Sequence, residues 1–261
     1  MKNIKDIKFY LLDMDGTIYL GNKLFDCTIP FLNLLEEQGK RYIFLTNNSS
    51  KNRNVYVEKL AKMGITAKPD DVFTSGEATT IYLNKIKPDA RIYLCGTPSL
   101  EHEFEEAGFT LTDKEPYYVV LGFDMTLTYE KLVKLCDFVR DGLPYIVTHP
   151  DFNCPVEGGF IPDTGSMMAL VKASTGRDPD LVIGKPNKGI VDAIVEKYHA
   201  NREEICMVGD RLYTDIALGP KAGIISILVL SGETSMEDLE KSDVEPSFIF
   251  DDLTGIAEAI K

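Results

Sequence analysis

Short apolar runs alternate with segments of helical periodicity along this chain, and that alternation constrains its fold more than any other feature. The apolar runs lie at 9–12, 42–45, 181–183, 205–208 and 225–230, and helical patterns lie at 29–38, 52–63, 188–198 and 214–221. Short continuous apolar runs are typical of strands that are buried on both faces. The alternation predicts an α/β fold with a Rossmann-like, mostly parallel sheet.

The middle of the chain repeats this texture and predicts a second α/β unit. Strand-like runs lie at 91–94, 117–121 and 145–147, and helix-like segments at 101–107, 129–139 and 166–174. We therefore predict a core domain formed by 1–78 and 181–261, with a smaller α/β domain inserted at 79–180. A chain of 261 residues is long enough for one large or two modest domains.

Charge and cysteine content narrow the classes of function. The formal net charge of −13 disfavours nucleic acid and anionic membranes as partners, because sequence-independent affinity for nucleic acid comes from Lys and Arg. An anionic substrate would need a local positive site. The five cysteines are odd in number and contain no C-x-x-C pair. This pattern disfavours a disulfide framework and a structural zinc site, and it fits a protein of the reducing cytoplasm. The apolar runs are far shorter than a membrane span.

Reactive polar residues stand where four of the predicted core strands should end. Asp13 follows the run at 9–12, Thr46 follows 42–45, Lys185 follows 181–183 after one glycine, and Asp210 follows 205–208 after another. In open parallel sheets, ligands bind at the carboxyl ends of the strands. We therefore expect these four side chains to converge on one crevice, although they span almost 200 residues of sequence.

The run Asp13-Met14-Asp15-Gly16-Thr17 can carry a phosphoryl-transfer reaction. A carboxylate such as Asp13 can attack phosphorus and form an acyl phosphate, which divides a difficult hydrolysis into two easier steps. Asp15, two residues on, can protonate the leaving oxygen and later take a proton from water. Gly16 permits the tight turn. Taken alone, the same run also fits an exposed acidic turn.

Charge balance indicates what else such a site needs. Asp13, Asp210 and a phosphate dianion repel one another strongly in a dry site. A Mg²⁺ ion and Lys185 would bring the site close to neutrality when Asp15 carries a proton, and hard oxygen ligands suit Mg²⁺. Asp215 could orient Lys185 or a metal-bound water.

Each of the remaining strand-end residues also has an ordinary structural interpretation. The hydroxyl of Thr46 and the backbone amides after it could hold phosphate oxygens near a helix N-terminus, but the same residues fit a helix-capping cluster. Lys185 could be a surface lysine, and Asp210 could cap a helix. The coincidence of all four at strand ends favours the functional interpretation.

Together these residues resemble the motifs of the haloacid dehalogenase superfamily of phosphohydrolases. The matching set is D-x-D-G-T at 13–17, Thr46, Lys185 and G-D-x-x-x-x-D at 209–215; T-N-N-S at 46–49 and G-K-P at 184–186 make it similar to the NagD / p-nitrophenyl phosphatase group. The resemblance covers essentially the whole chain.

The resemblance also implies a role for each matching residue. Asp13 would be the nucleophile and a metal ligand, and Asp15 the general acid and base with its backbone carbonyl on Mg²⁺. The phosphoryl group would be held by Thr46, Asn47 and Lys185. Asp210 would complete the metal site, and Asp215 would support these groups from behind.

The 138 residues between Thr46 and Lys185 leave room for an α/β cap, as in the C2-type cap of that group. A cap excludes water and supplies leaving-group specificity. We expect its site-facing loop to be 148–155, with His149, Asp151, Asn153 and Cys154 as candidate specificity residues. This loop departs from the pattern of relatives, and His149 fits a locally hydrogen-bonded loop residue equally well.

We therefore expect a cytoplasmic, Mg²⁺-dependent phosphatase acting on small phosphorylated metabolites such as sugar phosphates, nucleoside monophosphates or p-nitrophenyl phosphate. A metal-independent dehalogenase is disfavoured by Asp15 and Asp210. A phosphotransferase on the same core stays open, as does a non-enzymatic phospho-receiver or phosphosugar-binding protein. The resemblance is also compatible with a homodimer.

Overall fold

The computed structural model describes residues 3–156 and 158–261 of the chain. Its strands are, in chain order, β1 (Phe9–Leu12), β2 (Tyr19–Leu20), β3 (Lys23–Leu24), β4 (Arg41–Thr46), β5 (Val72–Thr74), β6 (Arg91–Cys95), β7 (Thr110–Leu111), β8 (Tyr118–Leu121), β9 (Tyr145–Val147), β10 (Asn153–Val156), β11 (Gly159–Pro162), β12 (Leu181–Val182), β13 (Ile205–Gly209), β14 (Ile225–Val229) and β15 (Phe248–Phe250).

The α-helices account for most of the remaining regular structure. They are α1 (Thr28–Glu37), α2 (Arg53–Lys62), α3 (Ser75–Ile86), α4 (Pro98–Glu106), α5 (Tyr129–Arg140), α6 (Thr164–Thr175), α7 (Gly189–Tyr198), α8 (Ala217–Ala222), α9 (Met236–Glu240) and α10 (Leu253–Ile260). A turn of π-helix at Leu212–Ile216 precedes α8. No helix among the residues described is long and apolar enough to cross a membrane.

Two compact units divide the chain between them. The first comprises the segments up to Thr46, Tyr56–Phe73 and Lys185–Lys261, and the second comprises Asn47–Val55 and Thr74–Gly184. The second unit thus takes in 47–55 and 74–78, which the sequence analysis assigned to the core, and also the strand at 181–183. The roles of core and cap domain stay predictions.

The first unit is built on a six-stranded sheet in the order β15-β14-β13-β1-β4-β5. The pairings from β15 through to β4 are all parallel. All four residues of β1 are buried, as expected for a central strand with both faces covered. Tyr10 and Leu12 pack with Phe31 of α1 and Phe44 of β4 in the main apolar cluster of this unit.

The second unit has its own five-stranded sheet, in the order β12-β9-β8-β6-β7, with parallel pairings throughout. Side chains from β6, β8 and β9 pack with those of α5 and α6 in a separate apolar cluster. Strands β10 and β11 form an antiparallel hairpin in the same unit. The predicted α/β fold, with a parallel-sheet core and a second smaller sheet, is confirmed.

One predicted strand belongs to a different sheet from the one we expected. The run at 181–183 was predicted to be a core strand, but β12 pairs with β9 in the sheet of the second unit. The strand is two residues long and half-buried. The prediction that this run is a core strand was therefore wrong. An apolar run this short does not indicate which of two parallel sheets it joins.

Candidate active site

Three adjacent strands of the first unit end in the polar residues that the sequence analysis singled out. Asp13 directly follows β1, Thr46 is the last residue of β4, and Asp210 directly follows β13. Strand β1 lies between the other two, in parallel register with both. Parallel strands bring their carboxyl ends to one edge of the sheet, so residues far apart in sequence meet at this edge.

A tight turn carries the chain away from Asp13. The backbone amide of Asp13 donates to Val208 in β13, at 2.9 Å, and that of Gly16 donates to the carbonyl of Tyr19, at 2.7 Å. Gly16 has φ +88° in this turn. A Cβ at Gly16 would lie 2.2 Å from Oδ2 of Asp210. Glycine is therefore required at position 16 both by backbone conformation and by space.

Lys185 supplies a buried positive charge at this edge. Its Nζ donates to Oδ1 of Asp13, at 2.5 Å, and to Oδ1 of Asp215, at 2.7 Å. Burial alone would lower the pKa of Lys185, but the charges and hydrogen bonds of Asp13 and Asp215 outweigh it and raise the pKa. Lys185 therefore stays protonated and provides a local positive charge in a chain whose net charge is negative.

The π-helical turn after Asp210 places Asp215 behind Lys185. The amides of Asp215 and Ile216 both donate to the carbonyl of Arg211, at 3.0 and 3.1 Å. Oδ2 of Asp215 accepts from the amide of Arg211, at 3.2 Å, so both of its carboxylate oxygens have protein donors. A Cβ at Gly209 would lie 2.4 Å from the Asp215 side chain, which shows how closely the turn packs on β13.

The donor set at this edge fits a hard divalent cation. Carboxylate oxygens of Asp13, Asp210 and Asp215 lie within 4.8 Å of one another. Oδ1 of Asp210 is buried and has no hydrogen-bond partner in the described part of the chain. Because Asp215 spends both oxygens on protein donors while Asp210 has one to offer, Asp210 is the better ligand of these two.

Burial and crowding perturb the carboxylates of this edge. Burial, and then the charges of Asp13 and Asp215, raise the pKa of Asp210. Burial also raises the pKa of Asp215, and Lys185 opposes that rise. A cation placed among these carboxylates would relieve the repulsion between them.

Asp15 stands apart from the three-carboxylate cluster. Burial raises its pKa, Asp13 adds to the rise, and the charges of Lys59 and Arg211 oppose it. A raised pKa suits a group that must carry a proton at neutral pH. The predicted metal contact of Asp15 is through its backbone carbonyl, so its absence from the side-chain cluster does not bear on that prediction.

Asn47 follows Thr46 directly and belongs to the second unit. Its Nδ2 donates to both carboxylate oxygens of Asp151, at 3.1 Å each, and its backbone carbonyl accepts from the hydroxyl of Ser75. Thr46 itself is half-buried. The phosphate-binding roles of Thr46 and Asn47 stay predictions.

The loop predicted to carry specificity lies entirely in the second unit. His149 is fully buried; its Nε2 lies 2.8 Å from Oδ1 of Asp163, and its Nδ1 lies 3.0 Å from the hydroxyl of Thr148. Both ring nitrogens are thus engaged within the unit, which favours the locally hydrogen-bonded interpretation of His149. Asn153 is exposed and Cys154 half-buried, with Cys154 Sγ 3.7 Å from Nδ2 of Asn48.

Comparison with known proteins identifies the family of the chain. The sequence profile of haloacid dehalogenase-like hydrolases matches residues 10–110, and a second profile of hydrolases of this type matches 182–256. An acid sugar phosphatase of Staphylococcus haemolyticus is 39% identical over 251 residues, which cover 96% of this chain and 95% of that protein. The chain belongs to the haloacid dehalogenase-like hydrolase family.

Solved structures place it within that family. The 4-nitrophenylphosphatase of Thermotoga maritima superimposes with a TM-score of 0.96 at 50% identity, covering 99% of each chain. The glycerol phosphate phosphatase of Mycobacterium tuberculosis in complex with magnesium gives 0.90 at 30% identity, covering 99% of this chain and 79% of that one. The full-length similarity puts this hydrolase in the NagD / p-nitrophenyl phosphatase group.

Glu233 was not predicted from the sequence, although it contacts the residues at this edge of the hydrolase's sheet. The guanidinium Nε of Arg211 lies 2.9 Å from Oε2 of Glu233, and the amide of Glu233 donates to Oδ2 of Asp210 at 2.7 Å. Glu233 lies just beyond β14, the neighbour of β13. The strand-end rule that found Asp13 and Asp210 would have pointed to Ser231, two residues before Glu233, had it been applied to the apolar run at 225–230.

Proposed function

We propose that this protein is a Mg²⁺-dependent phosphatase that hydrolyses small phosphate monoesters through an aspartyl-phosphate on Asp13. The observation that carries the proposal is the position of Asp13 at the end of the central strand, bonded by Lys185 and beside Asp210. The acid sugar phosphatase and the 4-nitrophenylphosphatase, which match over almost the full chain, support the same reaction class.

The reaction has two displacements with Asp13 as the nucleophile. A carboxylate oxygen of Asp13 forms a bond to phosphorus while the bond to the ester oxygen breaks, and Asp15 donates its proton to that leaving oxygen. Asp15 then takes a proton from water, whose oxygen attacks phosphorus and breaks the acyl-phosphate bond. Inorganic phosphate leaves, and both carboxyl groups return to their starting states.

Positive charge near the phosphoryl group lowers the barrier of both steps. Lys185, Thr46 and Asn47 are the proposed phosphoryl-binding residues. Lys185 is held rigidly by two carboxylates, so it needs no reorganisation as charge develops on the phosphoryl oxygens. Asp215 keeps Lys185 in place.

Asp13, Asp210 and the backbone carbonyl of Asp15 are the proposed holders of Mg²⁺. When bound, Mg²⁺ supplies electrostatic stabilisation to phosphoryl oxygens and offsets the repulsion between the substrate and Asp13. The unpartnered Oδ1 of Asp210 is the observation of this chain that fits the ion.

The proposed substrates are small phosphorylated metabolites, with sugar phosphates, nucleoside monophosphates and p-nitrophenyl phosphate as the classes to test. The predicted inserted domain at 79–180 is proposed to select the leaving group. Water as the final acceptor, a cytoplasmic location and a homodimer are part of the same proposal.

Replacement of Asp13 by Asn tests the nucleophile. We expect Asp13→Asn to abolish hydrolysis of p-nitrophenyl phosphate while circular dichroism and thermal unfolding show an intact fold. Asp243→Asn, which changes an exposed carboxylate of the same unit, is the matched control and should retain full turnover. Retained activity in Asp13→Asn would disprove the assignment.

Two further measurements separate the phosphatase from its alternatives. EDTA should abolish turnover and added Mg²⁺ should restore it. Isotopically labelled water should place its oxygen in the released phosphate, whereas a phosphotransferase would form a new phosphate ester when a sugar acceptor is present. A stable phospho-Asp13 without turnover would instead identify a receiver.

A further inference from the structure

The three residues Ser231, Gly232 and Glu233, which we name the Asp210 clamp, lie just beyond β14 and contact the metal-site carboxylate. Strand β14 neighbours β13, so its carboxyl end opens onto the same sheet edge as Asp210. None of the motifs recognised in the sequence includes these residues.

Gly232 lets the backbone of the clamp press directly against Asp210. A Cβ at Gly232 would lie 2.0 Å from Oδ2, 2.5 Å from Cγ and 2.6 Å from Cβ of Asp210. Unlike Gly16, Gly232 does not adopt the left-handed conformation. An alanine there would suffer no backbone strain, so the requirement for glycine at this position is purely one of space.

The carboxylate of Asp210 is held from two sides. Gly16 approaches Oδ2 almost as closely as Gly232 does, with a Cβ position 2.2 Å away compared with 2.0 Å. The amide of Glu233 donates to the same oxygen at 2.7 Å. Because a carboxylate is planar, an anchored Oδ2 leaves Oδ1 with little freedom, and Oδ1 is the buried oxygen that lacks a partner among the described residues.

The clamp also binds the turn that follows the two catalytic carboxylates. The hydroxyl of Ser231 donates to the backbone carbonyl of Gly16, at 2.8 Å. One segment therefore contacts both the carboxylate of Asp210 and the D-x-D-G turn. Those are the two parts of the chain that must keep a fixed separation if they share one ion.

We propose that the Asp210 clamp is a positioning element, which fixes Asp210 with Oδ1 directed at the divalent cation and holds the D-x-D-G turn at the right distance from it. The proposal rests on the proposed function, because it presumes that Asp210 is a metal ligand. What it adds to the proposed function is that Gly232 sets the affinity of the site for the ion through steric contact with Asp210.

Binding of Mn²⁺, a spectroscopic substitute for Mg²⁺, tests the proposal without relying on turnover. Gly232→Ala must displace the Asp210 carboxylate, so we expect its affinity for Mn²⁺, measured by electron paramagnetic resonance of the free ion, to fall at least about tenfold. The Mg²⁺ concentration that half-saturates turnover should rise by a similar factor.

Gly219→Ala is the matched control. Its Cβ would lie 2.7 Å from the Ser226 side chain, so it also introduces crowding into the first unit, but the three atoms nearest to that Cβ all belong to Ser226, which is not proposed to bind the ion. We expect Gly219→Ala to lower the unfolding temperature while leaving Mn²⁺ affinity within about twofold of the wild type. An equal loss in both variants would overturn the proposal.

A double-mutant cycle keeps the proposal falsifiable if Gly232→Ala is poorly stable. In EDTA, Gly232→Ala should lower the unfolding temperature of the wild type but not that of Asp210→Gly, where the whole obstructing side chain, including its Cβ, is gone. Additive losses would show that Gly232 does not act on Asp210. If the wild type and Gly232→Ala bind Mn²⁺ equally well, the proposed role of the clamp is wrong while the proposed metal site stands. If the wild type binds no Mn²⁺, the proposed metal site is wrong as well.

Discussion

Replacing Glu103 by Gln should make the protein more stable in alkaline solution and leave it unchanged in acid. Glu103 lies on α4 of the second unit and is buried. Burial first, and then the charge of Glu77, raises its pKa from 4.5 to about 8; the Thr74 hydroxyl and Arg53 oppose the rise, and Glu106 adds to it. A Cβ at Gly76 would lie 2.3 Å from Oε2, so water is excluded from that side.

The sign of the effect follows from which state holds the proton more tightly. Glu103 holds its proton more tightly in the native state than in the unfolded state. The stability that this proton provides is therefore complete below pH 4.5 and is lost as the pH rises toward 8. At about 1.4 kcal/mol for each pH unit, the whole shift corresponds to at most about 5 kcal/mol. Gln resembles the protonated acid in shape but cannot ionise, so the variant escapes this loss.

Thermal unfolding of both proteins from pH 4 to pH 9 is the assay. We expect matching unfolding temperatures at about pH 4, below the ordinary pKa of 4.5, and a variant that is more stable by about 2 to 5 kcal/mol at pH 9, a difference of at least about 4 °C. Glu105→Gln removes an exposed carboxylate of the same helix that is not among the groups shifting the pKa of Glu103, and should leave the pH dependence of the wild type unchanged. Parallel curves for the wild type and Glu103→Gln would refute the reasoning.

The active site makes further predictions. Lys185→Met should lower kcat/KM for p-nitrophenyl phosphate by about 1000-fold or more, because it leaves Asp13 and Asp215 without their shared cation. Asp215→Asn should cost less, on the order of 10- to 100-fold, since Lys185 keeps its bond to Asp13; equal losses would argue that Asp215 acts on the substrate directly. Gly16→Ala should lower both the unfolding temperature and Mn²⁺ affinity, because it adds strain at φ +88° to the collision with Asp210; a variant that binds Mn²⁺ normally would contradict this.

The sequence was most informative where a buried strand ends in a reactive residue. Asp13, Thr46 and Asp210 each follow an apolar run long enough to be a central strand, and the parallel sheet then brings their ends together. That rule depends only on strand direction and burial, which the apolar pattern encodes. The α/β fold and the common edge of these three residues were therefore predictable.

The sheet that contains the strand before Lys185 was not predictable in the same way. A short apolar run such as β12 could extend either of the two parallel sheets. It pairs with β9 in the sheet of the second unit because of long-range packing, which the local sequence pattern does not encode. Gly232 was missed for a related reason. A glycine selected for close approach looks like any loop glycine until the carboxylate that it touches is located.

His149 illustrates a third limit. Its chemistry fitted both a substrate contact and a structural role, and only its neighbours distinguish them. Thr148, Asp163 and Thr164 surround the ring with hydrogen-bonding groups at 2.8 to 3.1 Å. Asp163 and Thr164 come from the start of α6, 14 and 15 residues downstream, a proximity that arises from tertiary structure.

The strand order sets when the site can exist during synthesis. Strand β1 emerges first from the ribosome but occupies the middle of its sheet, between β4 and β13. Its second neighbour is made about 160 residues after β4 is complete, which corresponds to roughly 10 to 30 s of translation. Throughout that interval Asp13 has no Asp210 beside it, and Lys185 is itself made only about 140 residues after β4. A nascent or truncated chain that ends before β13 is therefore without the proposed catalytic centre, however well its completed segments have folded.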